Sequence, residues 1–167
     1  MAAKLTLYKI SCNEVTGINK WPETYLGYRL ILYKPGLFRL SQYGSNAVVN
    51  ILWYFVTLGK FRILFLLDKE TVVHYSYITP KTYRFPFMKN NDVQIGPCAT
   101  NSEYQKRGIF TEVLKLIPSF YAYQSDAVWT YTTLTNLASQ KAFAKAGYQF
   151  YSYAMMSLRT KIVRLIS

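Results

Sequence analysis

The sequence predicts a mixed α+β fold, and three observations carry that reading. Two runs rich in apolar and β-branched residues, 61–67 and 71–78, are split by the short polar segment Asp68-Lys69-Glu70 and read as a hairpin. Residues 92–158 alternate strand, loop, helix, strand, helix and strand. Two further windows carry apolar residues at helical spacing. A length of 167 residues with 51% apolar composition fits one domain over residues 1–167 with a core of its own.

The elements follow in chain order. Residues 5–10 alternate Leu5, Leu7 and threonine, tyrosine or lysine, and 28–33 are similarly strand-compatible until Pro35-Gly36 breaks the run. Ser45 or Asn46 caps a helix with apolar spacing at Val48, Ile51, Leu52 and Phe55 and Gly59 as its C-cap; its composition predicts a largely buried helix. After the hairpin, residues 80–91 form an irregular loop, then 93–99 a central strand in which Pro97 demands a bulge or a lost pairing. A helix over 108–121 buries Ile109, Val113, Leu116 and Ile117 until Pro118 disturbs its last turn, and residues 127–133 make the next strand. A helix over 136–146 closes at Gly147, and the last strand covers 148–158.

Composition removes several functions. Cys12, Cys98 and the lone His74 are too few and too scattered for a disulfide framework or a metal site, so no metal is expected. No stretch reaches the ~20 apolar residues a membrane helix needs. The N-terminus lacks the apolar segment of a secretion signal, and a soluble cytoplasmic protein is the expectation. A net charge of +12 favours anionic partners such as coenzyme A, nucleotide sugars, nucleic acid or an acidic membrane surface. Beyond the pairs Lys60/Arg62 and Lys106/Arg107 the basic residues recur singly, which fits a solvated surface and argues against nucleic acid.

The most specific chemistry lies in Gln105-Lys106-Arg107-Gly108-Ile109-Phe110, at the opening of the 108–121 helix. Consecutive N–H groups at a helix start face an anion well, and Lys106 and Arg107 add charge there. Downstream stand Asn136, Ser139, Gly147 and Tyr148 around the last helix. In these two segments the chain resembles the GCN5-related N-acetyltransferase (GNAT) family, whose pyrophosphate loop has the form Q/R-x-x-G-x-G/A and whose last helix opens with Asn and ends at Gly plus an aromatic. The resemblance covers the C-terminal half and hardly touches the first sixty residues.

The resemblance implies a mostly antiparallel twisted sheet of six to seven strands, a splayed parallel pair at its middle and about four flanking helices. It also implies acetyl-coenzyme A as acyl donor. The diphosphate would sit on Gln105, Lys106, Arg107, Gly108, Ile109 and Phe110, and the pantetheine arm along Cys98, Ala99 and Thr100. Asn136, Ser139 and Phe143 complete the implied cofactor set. The family's chemistry is direct attack by an amine in a ternary complex, which needs no enzyme nucleophile.

Two departures bear on proton transfer. Phe143 stands where many members carry a proton-donating tyrosine, and Gln94 where histone-type members carry a glutamate base. Asp92, on the same strand face as Gln94, is then a base acting through a water, with strand-end capping as its alternative. His74, ordinarily titrating at about 6.5, is the rival base, with a buried histidine satisfied by backbone or a hydroxyl as its alternative. Among sixteen tyrosines, Tyr131 is the preferred acid because its strand borders the splayed pair.

The expected activity is acetyl transfer to a primary amine of a small or sugar-linked acceptor, with similarity to members acylating amino sugars in surface-polysaccharide pathways; a nucleotide- or lipid-linked sugar would suit the positive charge, as would other anions. The alternative is a catalytically degenerate acyl-coenzyme-A or nucleic-acid binding module. A third reading is peripheral association with an anionic membrane, where a lipid-linked acceptor would reside, although no strongly basic amphipathic helix is evident; a homodimer is left open.

Overall fold

The computed structural model describes residues 2–36, 39 and 41–166. Among these the chain forms nine strands and three α-helices: β1 (Ala2–Ser11), β2 (Thr24–Tyr25), β3 (Tyr28–Tyr33), α1 (Ala47–Thr57), β4 (Arg62–Asp68), β5 (Thr71–Pro80), β6 (Val93–Thr100), α2 (Ile109–Tyr121), β7 (Ala127–Thr133), α3 (Leu137–Lys145), β8 (Gln149–Ser157) and β9 (Val163–Leu165). Two 3-10 turns, Cys12–Glu14 and Ser102–Tyr104, complete the set.

The strand order is β2-β3-β4-β5-β6-β7-β1-β8-β9. The sheet is mostly antiparallel, with one parallel pair, β6 with β7, registered at Val93↔Val128 and Gln94↔Trp129. The α+β class therefore holds. The expected six to seven strands become nine, because the two-residue β2 and three-residue β9 are too short to leave a periodicity. The expected four or so helices become three.

The chain divides into two compact units. The first comprises Met1–Lys20, Lys81–Gln94 and Phe110–Ser167. Here β1 lies between β7 and β8, antiparallel to both. Leu5 and Leu7 on one face of β1 join a core of Phe85, Met88, Trp129, Ala154 and Val163. On the other face Tyr8 meets Phe143 of α3 at 5.1 Å between ring centroids. Ile109, Val113, Leu116 and Ile117 of α2 are all buried, at the helical spacing the sequence displays.

The second unit comprises Trp21–Pro80 and Ile95–Ile109. Strand β4 is its spine, paired with β3 and β5. Ile63, Phe65 and Leu67 point to the α1 side with Tyr33, Phe61 and Tyr77, while Leu64 and Leu66 fill the opposite face. Asn46 caps α1, its side chain accepting from the Val49 N–H. Asn50, fully buried in this helix, accepts from the Tyr77 hydroxyl at 2.9 Å and donates to Ser45 Oγ at 3.0 Å. The expected burial of α1 is corrected: Val48, Leu52 and Phe55 lie at 62% exposure or more, because only its Val49–Trp53 side meets the core.

In β6, Gly96 adopts φ +130° before a cis peptide bond to Pro97, so the strand is irregular where the proline forbids ladder pairing. Phe65→Ala removes a fully buried ring between β4 and α1 and is expected to lower unfolding free energy by about 3–5 kcal/mol, measured by urea denaturation.

Candidate functional site

The turn at residues 105–109 is built by local anchoring. Asn101 donates its N–H to the Val73 carbonyl of β5 at 2.9 Å and accepts from the Glu103 N–H, starting the 3-10 turn. Gln105 donates its N–H to Ser102 O and its side-chain amide to Thr100 O. Tyr104 donates to Asp68 Oδ2 at 3.0 Å, and Arg107 lies over the Tyr104 ring while donating to the Glu103 carbonyl.

With the preceding segment fixed, the chain reverses through two left-handed residues, Lys106 at φ +63° and Gly108 at φ +78°, and α2 begins at the next residue. A Cβ at Gly108 would meet nothing within 4 Å, so glycine serves the backbone angle here and not a packing constraint. Gln105, Lys106, Arg107 and Gly108 are exposed. Among the described residues the N–H groups of Lys106, Arg107 and Gly108 take no backbone acceptor. Donors of that kind beside two cations and a helix start have the geometry that suits an anion.

Phe110 replaces the family's small residue without filling the turn: its ring packs on Phe143 at 5.9 Å. Phe143 is itself 2% exposed and surrounded by Tyr8, Phe110 and Tyr148. The missing general-acid tyrosine is thus a core phenylalanine. Asn136 and Ser139 belong to the other compact unit, where Asn136 Oδ1 caps α3 by accepting from the Ser139 N–H.

His74 lies with Cys98 and Thr100. It is 1% exposed, with Nδ1 2.8 Å from Thr100 Oγ1 and Nε2 2.8 Å from Ser76 Oγ, and Ser76 donates onward to Cys98 Sγ at 3.2 Å. If Ser76 gives its proton to sulfur, its oxygen accepts from Nε2–H, and Nδ1 accepts from Thr100. Burial holds the imidazole down at about 4, so it is neutral in this chain of hydroxyls. Cys98 keeps some exposure, yet desolvation pushes its thiol up to about 12, outweighing the hydrogen bond from Ser76. It is no thiolate nucleophile.

Asp92, just ahead of β6, is 2% exposed. Its Oδ2 accepts from the Trp129 indole at 2.7 Å and the Lys89 N–H at 2.8 Å. Tyr131, in the same unit, receives a hydrogen bond from Arg84 at 3.4 Å and packs on Phe85.

The second unit also holds a cavity of about 520 Å³ that sequence reasoning missed. Tyr43, Phe65, Tyr75 and Tyr77 form its aromatic walls, and Ser45, Asn46, Thr100 and Asn101 are polar positions on its lining. Among the described residues no Asp, Glu, Lys or Arg lines it. Only part of its wall was readable: period two along β5 sends His74 and Ser76 to one face and Tyr75 and Tyr77 to the other, while the remaining lining comes from distant segments.

No family model matches the chain, and no curated protein matches it. Solved structures do. A GNAT-family acetyltransferase from Colwellia psychrerythraea superposes with TM-score 0.61 at 14% identity, covering 93% of this chain and 55% of its own. The fold is that of the GNAT acetyltransferases. A tandem GNAT protein from the clavulanic acid biosynthesis pathway aligns with TM-score 0.54 at 13% identity over 89% of this chain and 50% of its own. A Drosophila protein gives 0.62 at 10% identity, 99% and 52%. The chain spans about half the length of these solved structures. Among the described residues no helix is long and apolar enough to cross a membrane, and no group of three acidic, histidine or cysteine residues suits a metal.

The His74 imidazole sets a pH dependence. The unfolded chain binds its proton at about 6.5 and the folded chain only at about 4, so the stability it contributes is complete above pH 6.5 and falls as pH drops towards 4. The loss amounts to about 3 kcal/mol at about 1.4 kcal/mol per pH unit. Denaturant titrations between these pH values are expected to give a smaller slope for His74→Gln than for the parent chain.

Proposed function

We propose that the protein is an acetyl-coenzyme-A-dependent N-acetyltransferase acting on a primary amine of a small or sugar-linked acceptor, by direct attack in a ternary complex. The observation that carries this reading is the anchored left-handed turn at residues 105–109, with exposed N–H donors and two cations, opening α2 of a GNAT fold. The coenzyme's diphosphate binds the amides and side chains of Lys106, Arg107 and Gly108, with Ile109 and Phe110 supplying the first turn of the helix. Gln105 holds the turn against Thr100. The main chain of Cys98, Ala99 and Thr100 receives the pantetheine arm, and Asn136 and Ser139 at the start of α3 orient the cofactor.

His74 is given a positioning role: a neutral imidazole with both nitrogens engaged fixes the Thr100 hydroxyl and does not take the acceptor's proton. Asp92, acting through a water at its second oxygen, remains the proposed base, and Tyr131 the proposed proton donor to the departing thiolate. The charge-free aromatic cavity suits an uncharged sugar ring, whose apolar faces stack on tyrosine while its hydroxyls reach Ser45, Asn46 and Asn101. This favours amino sugars, nucleotide- or lipid-linked forms included, over polyamines.

The core placement of Phe143 favours one second reading, an acyl-coenzyme-A binding module without turnover. Thiol release from acetyl-coenzyme A across a panel of amino sugars and other amines separates the two: release with any amine supports the enzyme, and binding without release on every amine supports the module. Gly108→Pro forces φ from +78° to about −65° and deletes an amide donor, so coenzyme A affinity is expected to fall about tenfold or more with circular dichroism unchanged. Unaltered affinity by calorimetry would refute the turn as the diphosphate site. Tyr131→Phe is expected to lower kcat about a hundredfold and leave coenzyme affinity alone.

A further inference from the structure

Helix α1 has eleven residues, none of them charged. One side meets protein: Asn50 and Thr57 are buried, and Val49, Trp53 and Tyr54 pack against the Phe61–Phe65 core. The other side is apolar and open. Val48, Leu52, Phe55 and Val56 are 67%, 62%, 66% and 41% exposed, and Leu58 at the C-cap is 81% exposed. The spacing of Val48, Leu52 and Phe55 places them on one stripe. A helix that covers a core with one face ordinarily shows polar residues on the other, where these stand.

The C-terminus of α1 sharpens the point. The Leu58 N–H reaches the Phe55 and Tyr54 carbonyls, and the Gly59 N–H reaches Tyr54 O at 2.8 Å, closing a Schellman-type cap with Leu58 at φ 51° and ψ 42°. Glycine is the favoured residue at that left-handed position. Leucine there is conformationally disfavoured, and at 81% exposure it gains almost no burial within the fold. The fold therefore gives no reason for a leucine side chain at this position, whereas a surface outside the chain would.

Charge selects that surface. Residues 24–67, which bracket α1, contain no aspartate or glutamate but carry Arg29, Lys34, Arg39, Lys60 and Arg62. Lys60 follows the cap after one residue. Arg29 is paired with Glu70 at 3.6 Å, whereas Lys60 and Arg62 stand at the α1 C-terminus, where Arg62 donates to the Gly59 and Phe61 carbonyls. A second copy would bring these cations against their equals, and the chain's net charge of +12 opposes that pairing further. Phosphate headgroups over an acyl boundary complement both features, basic rim and apolar stripe.

We infer that α1, Leu58 and the flanking basic residues dock on an anionic phospholipid bilayer, with Val48, Leu52, Phe55 and Leu58 entering the headgroup–acyl boundary. This docking does not rest on the enzyme assignment.

Flotation of the full chain with phosphatidylcholine vesicles, with and without phosphatidylglycerol, tests it. Co-flotation is expected with the anionic vesicles, and the partition coefficient is expected to fall about tenfold or more in Leu52→Glu/Phe55→Glu with the melting temperature unchanged. Leu58→Gly separates docking from folding: it relieves the left-handed strain, so vesicle binding weakens while the melting temperature holds or rises. Absence of flotation overturns the inference, as does flotation indifferent to the double substitution. A dimer in light scattering that the same substitutions dissolve assigns the face to a second copy and overturns it too. A lowered melting temperature for Leu58→Gly returns that leucine to the fold.

Discussion

The functional reading depends on one backbone constraint: two residues, Lys106 and Gly108, held at positive φ immediately ahead of α2. Left-handed backbone at a non-glycine residue persists only where its surroundings impose it. Here they do so from the preceding side, through Asn101 on the Val73 carbonyl and Gln105 on the Thr100 carbonyl, while α2 begins directly after Gly108. The donors are thereby aimed before any ligand arrives, so little ordering is left for binding to impose.

The same anchoring links the turn to the polar chain beneath it. Thr100 offers its carbonyl to Gln105 and its hydroxyl to His74, which meets Ser76, which meets Cys98. A neutral imidazole suits this position because it donates at one nitrogen and accepts at the other, whereas an imidazolium would present two donors. Burial enforces the neutral form.

Much of the fold was legible because its long elements carry strong periodicity. The β4–β5 hairpin, β7 and the buried stripe of α2 stand where alternation and helical spacing put them. What was illegible has physical causes. Strands β2 and β9 are too short to show a period, and α1 is apolar on its exposed side as well, so composition reads it as buried. The turn was visible as Gln105-Lys106-Arg107-Gly108, since glycine beside cations at a helix start has a direct physical meaning. The aromatic cavity was not, because it gathers Tyr43, Phe65, Tyr75 and Ala99 from segments distant in sequence. Phe110 and Phe143, the two departures from the pattern of the resembling family, pack on each other within the first unit.

The most direct measurement is an amide-resolved NMR titration with coenzyme A. The largest shifts are predicted at the N–H groups of Lys106, Arg107, Gly108 and Ile109, and 3′-dephospho-coenzyme A, which keeps the diphosphate, should reproduce them. A titration that leaves those four amides in place while shifting others would contradict the assignment of this turn as the diphosphate site.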